Sequence, residues 1–316
     1  MAENTGQSVY WDLPNYAGEL FTADMVNTPF LTMIGGLTGG GMQTQNFEFP
    51  TSSLYTFPTE SQPDISETAS LTAPTGTAAI RTQVSNVAQI FHEGVSLSYE
   101  ALSNMARLSG INTVGSKNNV QDLLNSTIKY NLQIIARDIE ETILNGTYEL
   151  ATGEGSSNRS RGMMEAAAAG STTDASAAAL SKALIDALLL KMFTAGAMFV
   201  NPVIWVNGFQ KTALSNIYGY APEDRNVGGV NIKQIETDFG NIGIAPAHRM
   251  MDNDSLLITE MSVIAPVFQP VPKKGNFFYE DLSKLGASEN GQIYGKFGLD
   301  HGPCFAHGSI TGLATS

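Results

Sequence analysis

Charge is scarce in this sequence. Asp, Glu, Lys and Arg make up 15 % of the 316 residues, against about 25 % in an ordinary soluble domain, so much of the surface is suited to facing other protein. Basic residues are missing from the front: Met1 to Ile80 holds eight acidic residues and no Lys or Arg, whereas Arg81 to Ser316 carries 22 acidic and 17 basic. With a net charge of -13, tight neutralisation of nucleic-acid phosphates is excluded as a main role. The single cysteine, Cys304, rules out an intramolecular disulfide framework. No apolar run reaches the ~18 residues that span a bilayer; the nearest, Ala183 to Val200, is interrupted by Asp186, Lys191, Thr194 and Gly196. The opening MAENTGQSVYWD has neither the basic nor the apolar region of a signal peptide. We therefore expect a soluble protein used in a cytoplasm, in which the sequons at Asn125, Asn145, Asn158 and Asn253 have no function.

Signatures of chemistry are also missing. The glycines Gly35, Gly36, Gly39, Gly40 and Gly41 precede no Lys-Ser or Lys-Thr, so they form a flexible joint rather than a phosphate loop. His301 and His307 flank Cys304, but a zinc site needs a fourth ligand and tighter spacing. Pro303, Gly302 and Gly308 offer no helix N-terminus to activate the thiol, so Cys304 is read as a small buried thiol. Asp252, Asn253 and Asp254 lack the glycine and distal glutamate of a calcium loop. Neither GxSxG nor GxGxxG occurs. We assign no catalytic, cofactor-binding or metal-binding residue.

The chain does contain a strut. Val120, Leu123, Leu124, Ile128, Leu132, Ile135, Ile139 and Ile143 recur at three- and four-residue steps, drawing one stripe along a helix of about 28 residues, roughly 42 Å long. Ser116 can cap its start, and Gly146 can take the left-handed conformation that ends it. Arg137, Asp138, Glu140 and Glu141, off the stripe, read as a solvated face. Before the strut, Met42 to Phe49 and Ala78 to Ser98 pair as a long hairpin, with a bulge or bend between Val84 and Val87 and a distal loop from Thr51 to Gly76. So thin an arm needs something to lie on, and a neighbouring copy is the simplest candidate. After the strut, Ala151 to Ala179 reads as a low-complexity connection. Leu180, Leu184, Leu188 and Met192 space a helix; PVIWV is a strand followed by a short helix from Phe209 to Ile217. Strand-like pieces at Val230 to Ile235, Ile242 to Ala245, Leu256 to Thr259 and Val263 to Val271 follow, and then Phe277 to Leu285 and Gln292 to Leu299.

Five segments together carry a resemblance: TPFLTMIGG from Thr28, NVAQIFHEGVSLS from Asn86, ARDIEETILNG from Ala136, VIWVNGFQKTALS from Val203, and a C-terminal set comprising ETDFGNIGIAPAHRM, LLITE and GQIYGKFGLDHGPCFAHGSITGL. In this order the chain resembles the major capsid proteins of tailed double-stranded DNA bacteriophages, whose fold encapsulins share. The resemblance implies an α+β fold with an N-terminal arm over 1–35, an extended β-hairpin loop over 36–98, and a peripheral domain over 99–180 with its spine helix at 116–146. An axial domain over 181–272 follows, and 273–316 returns to the peripheral domain. It further implies pentamers and hexamers of the chain in an icosahedral shell around DNA that is not tightly bound, with a portal at one vertex and no membrane. Phe47, Phe49, Arg81, Ile90 and Phe91 are the residues we expect at subunit interfaces.

Two departures from relatives matter. Some weld their shells by an isopeptide bond from an extended-loop lysine, yet Gly36 to Ser98 contains no lysine; packing, arm exchange or a decoration protein would then secure the lattice. Some carry a long scaffolding segment ahead of the TPF run, where this chain has about 27 residues, so a separate scaffolding protein is expected. The alternatives are an encapsulin-type nanocompartment, an enzyme whose site is the alanine-rich loop and the His301 to His307 region, and a tail or portal component.

Overall fold

The apolar stripe of the strut folds as one helix whose C-terminal end is Asn145. The computed structural model describes residues 28–37, 41–57, 61–76, 78, 80–103, 123–218, 234–248, 254–284 and 286–315. Ser116 and Val120 therefore lie outside the described residues, as does the N-terminal arm before Thr28. In chain order the helices are α1 (Pro29–Met33), α2 (Glu67–Ser70), α3 (Tyr99–Ser103), α4 (Leu123–Asn145), α5 (Met163–Gly170), α6 (Lys182–Thr194) and α7 (Gly208–Ile217). The strands are β1 (Met42–Gln43), β2 (Glu48–Thr56), β3 (Ile80–Val87), β4 (Gln89–Ser98), β5 (Ser171–Asp174), β6 (Pro202–Val206) and β7 (Gln234–Thr237), then β8 (Gly240–Pro246), β9 (Leu256–Glu260), β10 (Ala265–Phe268), β11 (Phe277–Asp281), β12 (Ser288–Asp300) and β13 (Gly308–Thr311).

Three sheets result. Strand β12 is the seam of the first: β4 runs antiparallel along one edge, from Gln89 opposite Phe297 to Ser98 opposite Ser288. Its other edge carries β11 and then β10, and β10 pairs with the short parallel β1. The second sheet has the order β5-β13-β9-β6-β8-β7. Its central strand PVIWV is buried at every position, as a strand covered on both faces must be. The third is the ribbon β2–β3. Helix α4 packs Ile135, Ile139 and Ile143 into a core shared with Phe30, Met163, Trp205, Leu257, Phe268 and Phe297. A second core lies under α6, where Ile185, Leu188, Leu189 and Met192 meet Ile204, Ile244, Ile258 and Ile310.

Several expectations are corrected by tertiary contacts. The single strand from Ala78 to Ser98 is two strands broken at Ala88, whose N–H is taken by Phe47 O at 2.7 Å; only β3 pairs with β2, while β4 belongs to the first sheet. The bulge lies on the partner strand, between Pro50 and Ser52, and β2 runs through Thr51 as far as Thr56. Sheet membership also cuts across the expected domain limits: within 181–272, β10 joins the first sheet, and within 273–316, β13 joins the second. Within 99–180, β5 likewise belongs to the second sheet, and Ala166 and Ala167 of the supposed low-complexity connection are fully buried in α5. Alanine there gives α5 a thin side against α4, β9 and β13.

The face of α4 is rotated from the expected one. Leu132 is exposed and Asn131 is buried, because the Asn131 side-chain amide donates to Gly94 O of β4 at 3.0 Å. Glu140 is not on a solvated face. It is fully buried, and its two carboxylate oxygens accept the backbone N–H groups of Phe30 at 2.9 Å and Leu31 at 2.7 Å. Thr28 makes no side-chain cap for α1, so α4 caps α1 from outside. Gly146 is absent from the positive-φ glycines among the described residues; a side chain at this position is excluded by close approach instead. A Cβ there would strike the carbonyl oxygens of Thr142 and Ser160, where the chain crosses itself and Gly162 N donates to Gly146 O at 2.8 Å.

Removing the Glu140 carboxylate leaves two buried N–H groups unmatched. Glu140→Ala should lower the unfolding free energy by about 2–4 kcal/mol, read as a shifted urea midpoint, whereas Glu154→Ala on an exposed turn should change it by less than about 0.5 kcal/mol.

Candidate assembly surface

The ribbon β2–β3 begins inside the molecule and ends outside it. At its root Phe49, Val87 and Ala88 are buried, and the wholly buried Asn86 side chain bolts the ribbon to two other segments. Its Nδ2 donates to Leu299 O at 2.7 Å and Arg161 O at 3.2 Å, and its Oδ1 accepts from Arg161 N at 2.8 Å. Farther out, from Ser53 opposite Gln83 to Thr56 opposite Ile80, both strands are largely exposed. Beyond them Phe57 is 82 % exposed and Leu71 84 %, with Ile65, Tyr55 and Ile80 also exposed. A two-stranded ribbon has little stability of its own, and large apolar side chains at such exposure are a surface awaiting cover.

The five expected interface residues divide. Phe47 and Ile90 are about half exposed. Arg81 is exposed on the ribbon, where it donates to Ser53 Oγ at 3.0 Å across the two strands. Phe49 and Phe91 are each 7 % exposed and are taken up by the chain's own core: Phe91 meets Phe297 edge-on at 6.4 Å, and Phe49 packs with Ala88 and Val267. Both are covered within the single copy, because β4 turns inward after Ala88 and carries Phe91 beneath the sheet. Ile90 faces the other way, on the same side as His92, which lies beside Tyr294 at 6.2 Å; Phe278 adjoins Tyr294 at 5.9 Å. The outer side of the first sheet is thus an aromatic row.

One patch went unrecognised in the sequence. Leu190, Phe193, Met198 and Val200 are exposed at the end of α6 and just after it. Phe193 and Phe199 each contact Phe239 at 5.5 and 5.7 Å, beside a shallow depression of about 460 Å³. The available signal was Leu190 and Phe193 falling off the Ile185, Leu188, Leu189, Met192 stripe.

Around Cys304 the structure offers no activated group. Burial pushes the thiol above its ordinary pKa, which disfavours the thiolate. His301 and His307 are fully buried; burial holds both down to about 4. Among the described residues, no group of three or more His, Cys, Asp or Glu side chains is placed to hold a metal, and no helix is long and apolar enough to cross a membrane.

Comparison with known proteins agrees in scale with this picture. The SU10 major capsid protein family model matches residues 2–314. The fold is similar to the capsid protein of cyanophage A-1(L), with a TM-score of 0.63 at 12 % identity, covering 99 % of this chain and 100 % of that one. It is similar also to the capsid of a native GTA particle, with a TM-score of 0.61 at 11 % identity over 99 % and 100 % of the two chains. The SrpI encapsulin of Synechococcus elongatus PCC 7942 gives a TM-score of 0.55 at 10 % identity over 100 % and 98 %. No curated protein matches the chain by sequence.

The contrast between buried Phe91 and exposed Phe57 separates folding from assembly. Phe91→Ala should cost the isolated subunit about 3–5 kcal/mol in thermal or urea unfolding. Phe57→Ala should cost it less than about 0.5 kcal/mol while reducing the assembled fraction in sedimentation.

Proposed function

The chain belongs to the SU10 major capsid protein family, a family of shell-forming structural proteins, and from that premise we propose that many copies, as pentamers and hexamers, build an icosahedral shell around double-stranded DNA. The observation that supports this arrangement is the ribbon β2–β3, which carries Tyr55, Phe57, Ile65, Leu71 and Ile80 exposed beyond the chain's own core. An arm covered by a different surface of the next copy makes a heterologous contact, which builds a ring where the rotation between copies closes. Phe47, Ile90 and Arg81 remain the interface residues we propose, joined by Phe57 and Leu71.

In this reading 48–87 is the extended loop, the first sheet with α4 is the peripheral domain, and the second sheet with α6 and α7 is the axial domain. A scaffolding protein, a portal at one vertex and a decoration protein are the further partners we assign. Assembly takes place in the host cytoplasm, and the finished shell is part of the virion. The want of basic residues before Arg81 lets packaged DNA slide without adhering. The encapsulin alternative shares the fold, and the family match favours a virus shell over it.

Negative-stain electron microscopy and sedimentation test the proposal, on the protein expressed alone and with candidate scaffold. Closed polyhedra, or pentamers and hexamers that close when scaffold is added, are expected; a monomer or dimer under every condition overturns it. Purified empty shells should not retain duplex DNA at physiological salt.

A further inference from the structure

The root of the ribbon is held by two side chains of different character. Asn86 is neutral at every pH. The other hold is His301, fully buried at the end of β12. It reaches Thr51, the residue that the bulge in β2 leaves outside the ladder. Thr51 Oγ1 lies 3.2 Å from Val84 O, to which it donates, and 3.4 Å from His301 Nε2. With the hydroxyl hydrogen directed to a carbonyl, Thr51 can only accept from the ring, which fixes the hydrogen of His301 on Nε2. Nδ1 is then bare, and it is buried without a hydrogen bond among the described residues.

His307 is wired the same way. Its Nε2 lies 2.6 Å from His301 O, which can only accept, so Nε2 carries the hydrogen. Its Nδ1 accepts from Glu260 N at 3.3 Å. An added proton would have to enter each ring at Nδ1. In His301 it would create a buried cation at an atom that makes no hydrogen bond in the closed form; in His307 it would set two N–H groups against each other.

We propose that His301 and His307 form an acid-release catch for the arm: protonation at Nδ1 drives the segment 301–307 away from Thr51 and frees the root of the β2–β3 ribbon. The neighbouring charges do not cancel this. Arg161 opposes a charge on His301, as does His307, while the backbone carbonyls of Gly302 and His301 favour it less than burial disfavours it. Glu260 favours a charge on His307, but its carboxylate is already held by the N–H groups of Val200 and Asn201 and by Ser262. Glu165 is paired with Arg161 at 3.1 Å. Asp300 accepts from Gly302 N and is raised by burial, as is Cys304. Thr51 brings no charge from β2.

The sign is fixed by the closed state resisting protonation. Above the ordinary histidine pKa of 6.5 neither state takes a proton and the catch stays shut. Between 6.5 and about 4 the opened state binds protons that the closed state refuses, so acid favours opening. For one histidine with these limits, going from pH 7.5 to pH 5 multiplies the open-to-closed ratio about 30-fold. The inference rests on the geometry of a single chain and stands apart from the shell reading.

Hydrogen exchange on the full-length protein as purified tests it, at pH 7.5 and 5.0 and corrected for intrinsic rates. Peptides covering 48–56 and 80–87 should open at least about 30-fold more at pH 5, the response of one histidine, and more where both titrate, with β6 unchanged. The amide of His301→Gln can still donate to Thr51 and does not titrate; this variant should lose most of the response, and His301→Gln with His307→Gln should lose all of it. Thr51→Val keeps both histidines and should keep the acid response at 301–307 while losing it in the ribbon. The catch is overturned by an unresponsive wild type, by an undiminished response in the double glutamine variant, by an equal rise in β6, or, should the glutamine variants fail to fold, by Thr51→Val leaving the ribbon response intact.

Discussion

Thirteen residues of one strand hold the first sheet together. Strand β12 is paired on both edges, with β4 along one and β11 and β10 along the other, so the base of the arm, the C-terminal hairpin and the strand after β9 share one register. The strand accepts this crowding because its glycines leave room for rings. A Cβ at Gly291 would fall on the Tyr279 ring, at Gly295 on the Phe277 ring, and at Gly298 2.8 Å from the Phe49 ring. Aromatic side chains laid across glycine backbone carry the packing that side chains on β12 would otherwise supply. Because Phe49 comes from the ribbon and Gly298 from the seam, the direction in which the arm leaves the body is set at this strand, next to His301.

Elements whose pattern is internal were legible in advance. The Ile135, Ile139, Ile143 stripe of α4, the all-apolar PVIWV of β6 and the helix after it need only periodicity or length to be read. What escaped depended on a partner distant in sequence. Glu140 looks like any surface glutamate on a helical wheel, and only the return of Phe30 and Leu31, more than a hundred residues away, makes it an internal cap. The alanines of α5 carry no amphipathic signal, since alanine is equally at home on either side of a helix, and their burial follows from the close neighbours they admit. Two of the five expected interface residues show a related limit: alternation shows that Phe49 and Phe91 face something, but not whether that something is the same chain.

The described molecule is accordingly complete in its two cores and incomplete in its arm. Both cores bury their apolar residues within one copy. The ribbon buries its root and offers its far half. Such a division lets folding and assembly respond to different residues, with the Asn86 and Thr51 contacts at the boundary between them.

The absence of lysine from 36–98 extends past the lattice chemistry it excludes. The stretch 36–98 holds no lysine, so amine-directed reagents that attach dyes, polymers or peptides to side chains cannot modify the arm. A particle built from such subunits would carry its attached cargo on the body, at residues such as Lys182 and Lys274, and the exposed ribbon would remain as synthesised.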